Sequence, residues 1–434
     1  MSLLDAALTE AREWDRVGDA YEVTKKPRGL DMDSLPVVPF VPMGAVPQGG
    51  AYEPDYALRS PGEIRSGTYF ERGDALIAKI TPSFENGKQA LATELPARFG
   101  FATTEVIPLR PREEGQDRRL LFFYLLHPDV RHHVAERMEG TTGRQRVPTE
   151  VLLNLPFPRF EPEEQTAIAD PLEMIQRLKA FETQSIQTTQ SLKRATMQTL
   201  FTHGLRGEAQ KETEIGPVPE SWEITTINDV AVATQYGLSM RGRTSGTYPI
   251  LRMNCQEDGK VHYRDIQFVD LDAESYDRFR VKPGDLLFNR TNSIDLVGRM
   301  AIIDEDRPAV FASYLVRVVV DAGRCIPEFL NYFMNWPRTQ GEIKKLASRA
   351  VGQANINATK LRTVLFPLPA IDEQRSIVAV LDSVDRKIDL HRRKQMILEE
   401  LFKTLLHKLM TGEVRARELD PLSFHRASNR TNGR

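Results

Sequence analysis

The side chains with the most chemistry to offer are long hydrogen-bond donors placed just after apolar runs. Lys79 follows Gly73-Asp74-Ala-Leu-Ile-Ala, and Arg290 follows Gly284-Asp285-Leu-Leu-Phe-Asn. Arg290 opens the polar stretch Arg-Thr-Asn-Ser, which adds Asn292. Arg144 and Arg146 lie in Gly143-Arg-Gln-Arg-Val147, and Gln353 and Asn355 lie in Gly352-Gln-Ala-Asn-Ile356 at the equivalent place in the second half. Arg241 and Arg243 flank a glycine in a loop. Such groups suit nucleic acid. An Arg fork matches a guanine edge, a Gln or Asn amide matches adenine, and any cation can meet a phosphate. The plainer alternative is a solvated strand end at Lys79 and Arg290, and a loop bonding its own backbone at the other positions.

Catalysis is harder to find. The chain has no phosphate-binding Gly-rich loop with Lys-Ser/Thr, no Gly-x-Gly-x-x-Gly, no Gly-x-Ser-x-Gly elbow and no Asn-Pro-Pro-aromatic run. Asp74 with Lys79 could be mistaken for a nuclease fragment, but with 60 acids and 58 bases such pairs arise by chance. Cys255 and Cys325 read as free thiols in a reducing cytoplasm. No Cys/His cluster has metal-ligand spacing, so neither a metal nor a bound cofactor is expected. No apolar run approaches a membrane span, and the first residues lack the apolar core of a signal peptide. The net charge of −2 argues mildly against a free-standing DNA binder, although a local basic surface can bind phosphates on a protein that is acidic elsewhere.

What would position these residues is a duplicated plan. At 434 residues the chain is long enough for two or three domains. Its halves share Trp14 and Trp222, both read as core, and apolar stretches ending at Met43 and Met253. They also share the Gly-Asp turns and a Pro-rich box with acids that ends in Gln165 and Gln374. A long helical pattern follows each box, closed by Gly207-Glu208 and Gly412-Glu413. The expected class is α+β, with globules over 1–160 and 217–370, helices over 161–208 and 371–413, a linker at 209–216, and a basic, disordered tail at 414–434. Segments 118–138 and 327–350 look helical, and Tyr314 to Val320 looks like a strand. In the second helix Ile377, Leu381, Val384, Ile388, Leu398, Phe402, Leu405 and Leu409 alternate steps of three and four as a heptad seam, broken by His391 and Gln395. The first helix begins the same way with Ile168, Leu172 and Ile175 and then loses the pattern; Pro171 should kink it. Ile397, Leu401 and Leu406 lie beside the seam and widen the apolar stripe beyond what one partner helix needs.

The repeated Pro-x-Pro/acid/Glu-Gln box before a long helix, Gly-Pro-Val-Pro-Glu-Ser-Trp-Glu at 216–223, and Gly352-Gln-Ala-Asn-Ile356 together resemble the specificity subunit family of type I restriction-modification systems. The resemblance covers nearly the whole chain. It departs at Gly143-Arg-Gln-Arg-Val147, where the second half has the fuller Gly-Gln-x-Asn-Ile form. It implies two target-recognition domains, each reading half of a split double-stranded DNA site. It also implies two long helices packed as an antiparallel coiled coil with pseudo-twofold symmetry, and docking of two modification methyltransferase subunits through faces such as Ile397, Leu401 and Leu406. Restriction subunits would join that core, and S-adenosylmethionine, ATP and magnesium would sit on the partners, leaving this chain non-catalytic. The competing reading is a coiled-coil scaffold with two interaction domains and no role on DNA.

Overall fold

The computed structural model describes residues 2–6, 13–32, 35–49, 52–141, 143–350 and 352–416. The tail expected to be disordered falls, from residue 417 on, outside the described residues. The chain forms two compact units, one made of residues up to Gln184 together with those from His391 onward, the other of Ser185–Leu390. The class is α+β with two long helices, Pro162–His203 and Ile371–Thr411. No described helix is long and apolar enough to cross a membrane.

The first unit holds two four-stranded sheets. In one, Ala75–Ala78 lies between Val106–Pro111 and Gln89–Leu91, antiparallel to both. In the other, Val38–Val41 runs parallel to Phe99–Ala102. The second unit has a six-stranded sheet in which Leu286–Asn289 lies between Leu315–Val320 and Met300–Ile302, and a three-stranded sheet around Tyr248–Leu251.

The two Gly-Asp signals are the same turn. Gly73 and Gly284 have φ of 89° and 88°, where a side chain would be strained. In one turn the Glu71 amide donates to Asp74 Oδ2 at 2.7 Å, and in the other the Lys282 amide donates to Asp285 Oδ2 at 2.9 Å. Burial pushes both carboxyls above the usual range, Asp74 to about 6 from 3.8. Because the folded value is raised, the stability this group contributes is fully present below pH 3.8 and is lost as pH rises through 6. Ionising it costs the first unit at most ~3 kcal/mol. We therefore expect Asp74→Asn to gain on the wild type in melting temperature between pH 4 and pH 7.5. Parallel melting curves for the two proteins across that range would count against this assignment.

Each segment that looks helical in sequence holds two short helices. Pro128 starts Pro128–Ala135 after Arg119–Tyr124, and Pro337 starts Pro337–Lys345 after Pro327–Asn335. The residue before proline is driven out of the helical region, and His127 and Trp336 are extended, with ψ of 130° and 132°. Tyr314 to Val320 is the strand Leu315–Val320. The stretch with linker composition is an ordered hairpin in the second unit, Gln210–Lys211 pairing with Val218–Pro219, and Trp222 beyond it is buried. The first long helix is continuous through Pro171.

The heptad residues do go inward. In the first unit Ile168, Leu172 and Ile175 share a core with Phe402, Leu405 and Leu409. In the second unit Met197, Leu200 and Phe201 share one with Ile377 and Leu381. The polar break is satisfied: His391 pairs with Glu182, and Gln395 donates to Thr183 Oγ1 at 2.9 Å.

The box glutamines bind backbone. Gln374 is fully buried; its Oε1 accepts from the Ile326 amide at 2.8 Å, and its Nε2 donates to the carbonyls of Arg324 at 2.9 Å and Pro369 at 2.8 Å. Gln165 accepts from the Asp117 amide at 2.8 Å and donates to the Phe160 carbonyl at 3.3 Å. Each glutamine ties the first turn of a long helix to the loop that enters the paired short helices of its own unit.

Candidate nucleic-acid interface

In the first unit the strand Ala75–Ala78 delivers Lys79 to the hairpin Glu139–Thr141/Arg144–Arg146. The Val147 amide donates to the Lys79 carbonyl at 2.7 Å, and the Thr81 amide to that of Gln145 at 3.0 Å. Gly143 has φ of 80°, and at Gly140 a Cβ would lie 2.6 Å from the Arg144 carbonyl oxygen, so the hairpin needs both glycines. The structure therefore brings Lys79, Arg144 and Arg146 together. Arg146 is not free, however. Its fork holds Glu105, Nε to Oε2 at 2.9 Å and the other arm to Oε1 at 2.6 Å, which lowers the Glu105 carboxyl. Arg144 is exposed.

In the second unit the strand Leu286–Asn289 delivers Arg290 to a three-stranded sheet of Thr291–Asn292, Gln353–Asn355 and Ser348–Ala350. The Ile356 amide donates to the Arg290 carbonyl at 2.8 Å. Arg290, Asn292, Gln353 and Asn355 thus converge, with different freedom. Asn355 Nδ2 donates to Thr291 Oγ1 at 2.6 Å, and Asn292 Oδ1 accepts from the Ser293 amide at 2.8 Å, so both amides serve their own loop. Gln353 is exposed. Arg290 lies over the Tyr236 ring at 4.8 Å and donates one arm to the Ser313 carbonyl at 3.2 Å. A stacked guanidinium anchored at one arm still presents donors along its remaining edge.

Arg241 and Arg243 follow Leu238, whose carbonyl accepts from the Ser313 amide at 2.8 Å. Arg243 exchanges backbone hydrogen bonds with Phe268 and faces Asp270 at 3.8 Å. No hydrogen bond or ion pair among the described residues joins either arginine to Arg290, Asn292, Gln353 or Asn355. Sequence reasoning missed Tyr236, whose ring carries Arg290 and whose hydroxyl accepts from the Ala358 amide at 2.9 Å. Tyr236 lies far from Arg290 in the chain and in no motif, so nothing in the sequence marks it.

On the long helices Ile397 and Leu401 are exposed, as a docking face requires, but Leu406 is fully buried in the core of the first unit and offers a partner nothing. The apolar side chains Met174, Leu178 and Phe181 of the first long helix are also exposed, at helical spacing, and were not singled out from sequence.

Residues 219–400 match the family described as type I restriction modification DNA specificity domain. The putative MjaX specificity subunit of Methanocaldococcus jannaschii is 30% identical over 208 residues, covering 47% of this chain and 49% of that one. The MjaVIII specificity subunit of the same organism is 24% identical, covering 74% of this chain and 76% of its own length. The chain thus spans about half the length of the first of these relatives. The fold is similar to the crystal structure of a type I restriction-modification S subunit from M. genitalium, with TM-score 0.57 and 12% identity over 93% of this chain and 97% of that one. Fold, motifs and sequence matches point the same way: residues 219–400 carry the type I restriction modification DNA specificity domain, and the chain is similar to type I restriction enzyme specificity subunits beyond it.

Proposed function

We propose that this chain reads DNA sequence for a type I restriction-modification complex and catalyses nothing itself. Its two globules are target-recognition domains for the halves of a bipartite site. The observation that carries this reading is a pairing repeated in each unit: a basic residue leaving a central strand meets a hairpin whose tip offers a free donor. Lys79 pairs with Val147, three residues after Arg144, and Arg290 pairs with Ile356, three residues after Gln353. Unpaired donors on a rigid turn suit base edges, and the plan is a pseudo-twofold repeat. The long helices act as an antiparallel coiled coil. That arrangement is supported within the first unit, where Lys179 pairs with Glu399 and the later residue Glu182 with the earlier His391.

The partners are double-stranded DNA, two modification methyltransferase subunits docked near Ile397 and Leu401, and restriction subunits. S-adenosylmethionine, ATP and magnesium belong to those partners, and the setting is cytoplasmic. The direct test is co-expression with the cognate methyltransferase and genome-wide mapping of modified adenines. We expect a split motif. Arg144→Ala should relax letters in one half only, and Gln353→Ala letters in the other. A continuous motif, or variants that both alter the same half, would rule out the assignment of one half-site to each globule.

A further inference from the structure

Two histidines 280 residues apart in sequence meet in the core of the first unit. Nε2 of His127 lies 3.1 Å from Nδ1 of His407. His127 is almost completely buried, while the His407 side chain is 28% exposed, which leaves one side of the pair open to water. The outward nitrogens each face an acid. His127 Nδ1 is 4.0 Å from Asp129 Oδ2, and His407 Nε2 is 3.8 Å from Glu413 Oε1. The Asp129 carboxylate is itself held by the Leu3 amide at 2.7 Å. Sequence spacing hides this cluster, since its two histidines come from the residue before Pro128–Ala135 and from the far end of the second long helix.

We propose that His127 and His407 are the protein ligands of a site for a divalent transition-metal ion of the zinc class, with the Asp129 and Glu413 carboxylates orienting the two rings. Two nitrogens bound to a tetrahedral ion at about 2.0–2.1 Å each stand roughly 3.3 Å apart, close to the separation found here. A histidine that binds a metal through one nitrogen usually gives its other N–H to a carboxylate, and both rings have one behind them. The ion takes the place of the proton the rings share. In the ion-free arrangement the Asp129 amide donates to His127 Nδ1 at 3.2 Å, so the His127 proton sits on Nε2 and donates to His407. On binding, that proton moves to Nδ1 and turns to the Asp129 carboxylate. The exchange costs one weak backbone contact, and no net proton is released when both rings are neutral. With two protein ligands, water completes the coordination from the His407 side.

The test uses the full, untagged chain, titrated calorimetrically with zinc chloride and, for a visible ligand-field spectrum, with cobalt(II). We expect one ion per chain and a rise in melting temperature with zinc. His407→Asn is the informative variant, because an Asn oxygen can still accept from His127 Nε2 while being a poor zinc ligand. It should weaken zinc at least tenfold and abolish the zinc-dependent rise while the metal-free protein melts normally. Glu413→Gln should weaken zinc roughly tenfold. His132→Ala, at an exposed neighbouring histidine, should change nothing. Absence of zinc binding, or His407→Asn binding as the wild type does, would overturn the proposal and leave a plain hydrogen bond between the rings.

Discussion

Replacing Gln374 with leucine should destabilise the second unit by about 3–5 kcal/mol, although the two side chains are similar in size. The loss comes from what is left behind. Leucine removes the acceptor of the Ile326 amide and the donor that reaches the Arg324 and Pro369 carbonyls. Each buried backbone group stranded in this way costs ~1–3 kcal/mol, and the position is fully buried, so water cannot substitute. Gln374→Glu should be no better: it restores an acceptor for Ile326 but sets a buried charge against two carbonyl oxygens. Gln165→Leu should cost less, about 1–2 kcal/mol, because Gln165 is half-buried and its second bond is long at 3.3 Å. Thermal unfolding with hydrogen exchange over 324–330 would measure this. If Gln374→Leu melts within a degree of the wild type and protects those amides equally, the tether has no energetic weight.

If the chain reads DNA as proposed, Arg290→Ala should weaken binding of the methyltransferase complex to its site by about 10–100-fold, the value of one well-placed arginine contact. The side chain is ready for this. The Tyr236 ring supports its plane and the Ser313 carbonyl holds one arm, so little freedom is lost on meeting DNA. Lysine should not rescue, since it lacks both the plane and the fork. Comparing cognate and unrelated duplexes at several salt concentrations separates two roles. A loss confined to the cognate duplex means a base contact. An equal loss on both, with a salt slope smaller by about one, means a phosphate contact. Unchanged affinity and an unchanged methylation motif would remove Arg290 from the interface.

Periodic and punctuated features were the legible ones. The second long helix carries a seam of apolar residues from Ile377 to Leu409, and the structure buries Ile377, Leu381, Ile388, Phe402, Leu405 and Leu409 and half-buries Val384 and Leu398. The Gly-Asp turns were legible as matched signals, because positive φ at Gly73 and Gly284 demands glycine and the following carboxylate caps the turn. Prolines 128 and 337 were underused: each restricts the residue before it, and that local rule cuts 118–138 and 327–350 in two. Partnership at a distance was not legible. Nothing in the sequence says that Arg146 is held by Glu105, that Tyr236 supports Arg290, or that Leu406 turns inward while Ile397 turns outward. The box glutamines lie between these cases. Their recurrence was visible, but their task of closing backbone hydrogen bonds depends on loops about fifty residues earlier.

The two units also differ in when a ribosome could finish them. The second is a single stretch, Ser185–Leu390, so every residue of its core is present once that stretch has emerged. The first is interrupted: Phe123, Phe157 and Leu172 share their core with Phe402, Leu406 and Leu409, which are synthesised more than two hundred residues later. Such distant closure is slow and leaves apolar surface uncovered in the meantime. A chain released after ending between residues 390 and 400 would hold a complete second unit and an unfinished first one, and that open core is what chaperones and proteases recognise. Early synthesis therefore shapes one half of the molecule, and the last residues of the core decide whether the other half survives.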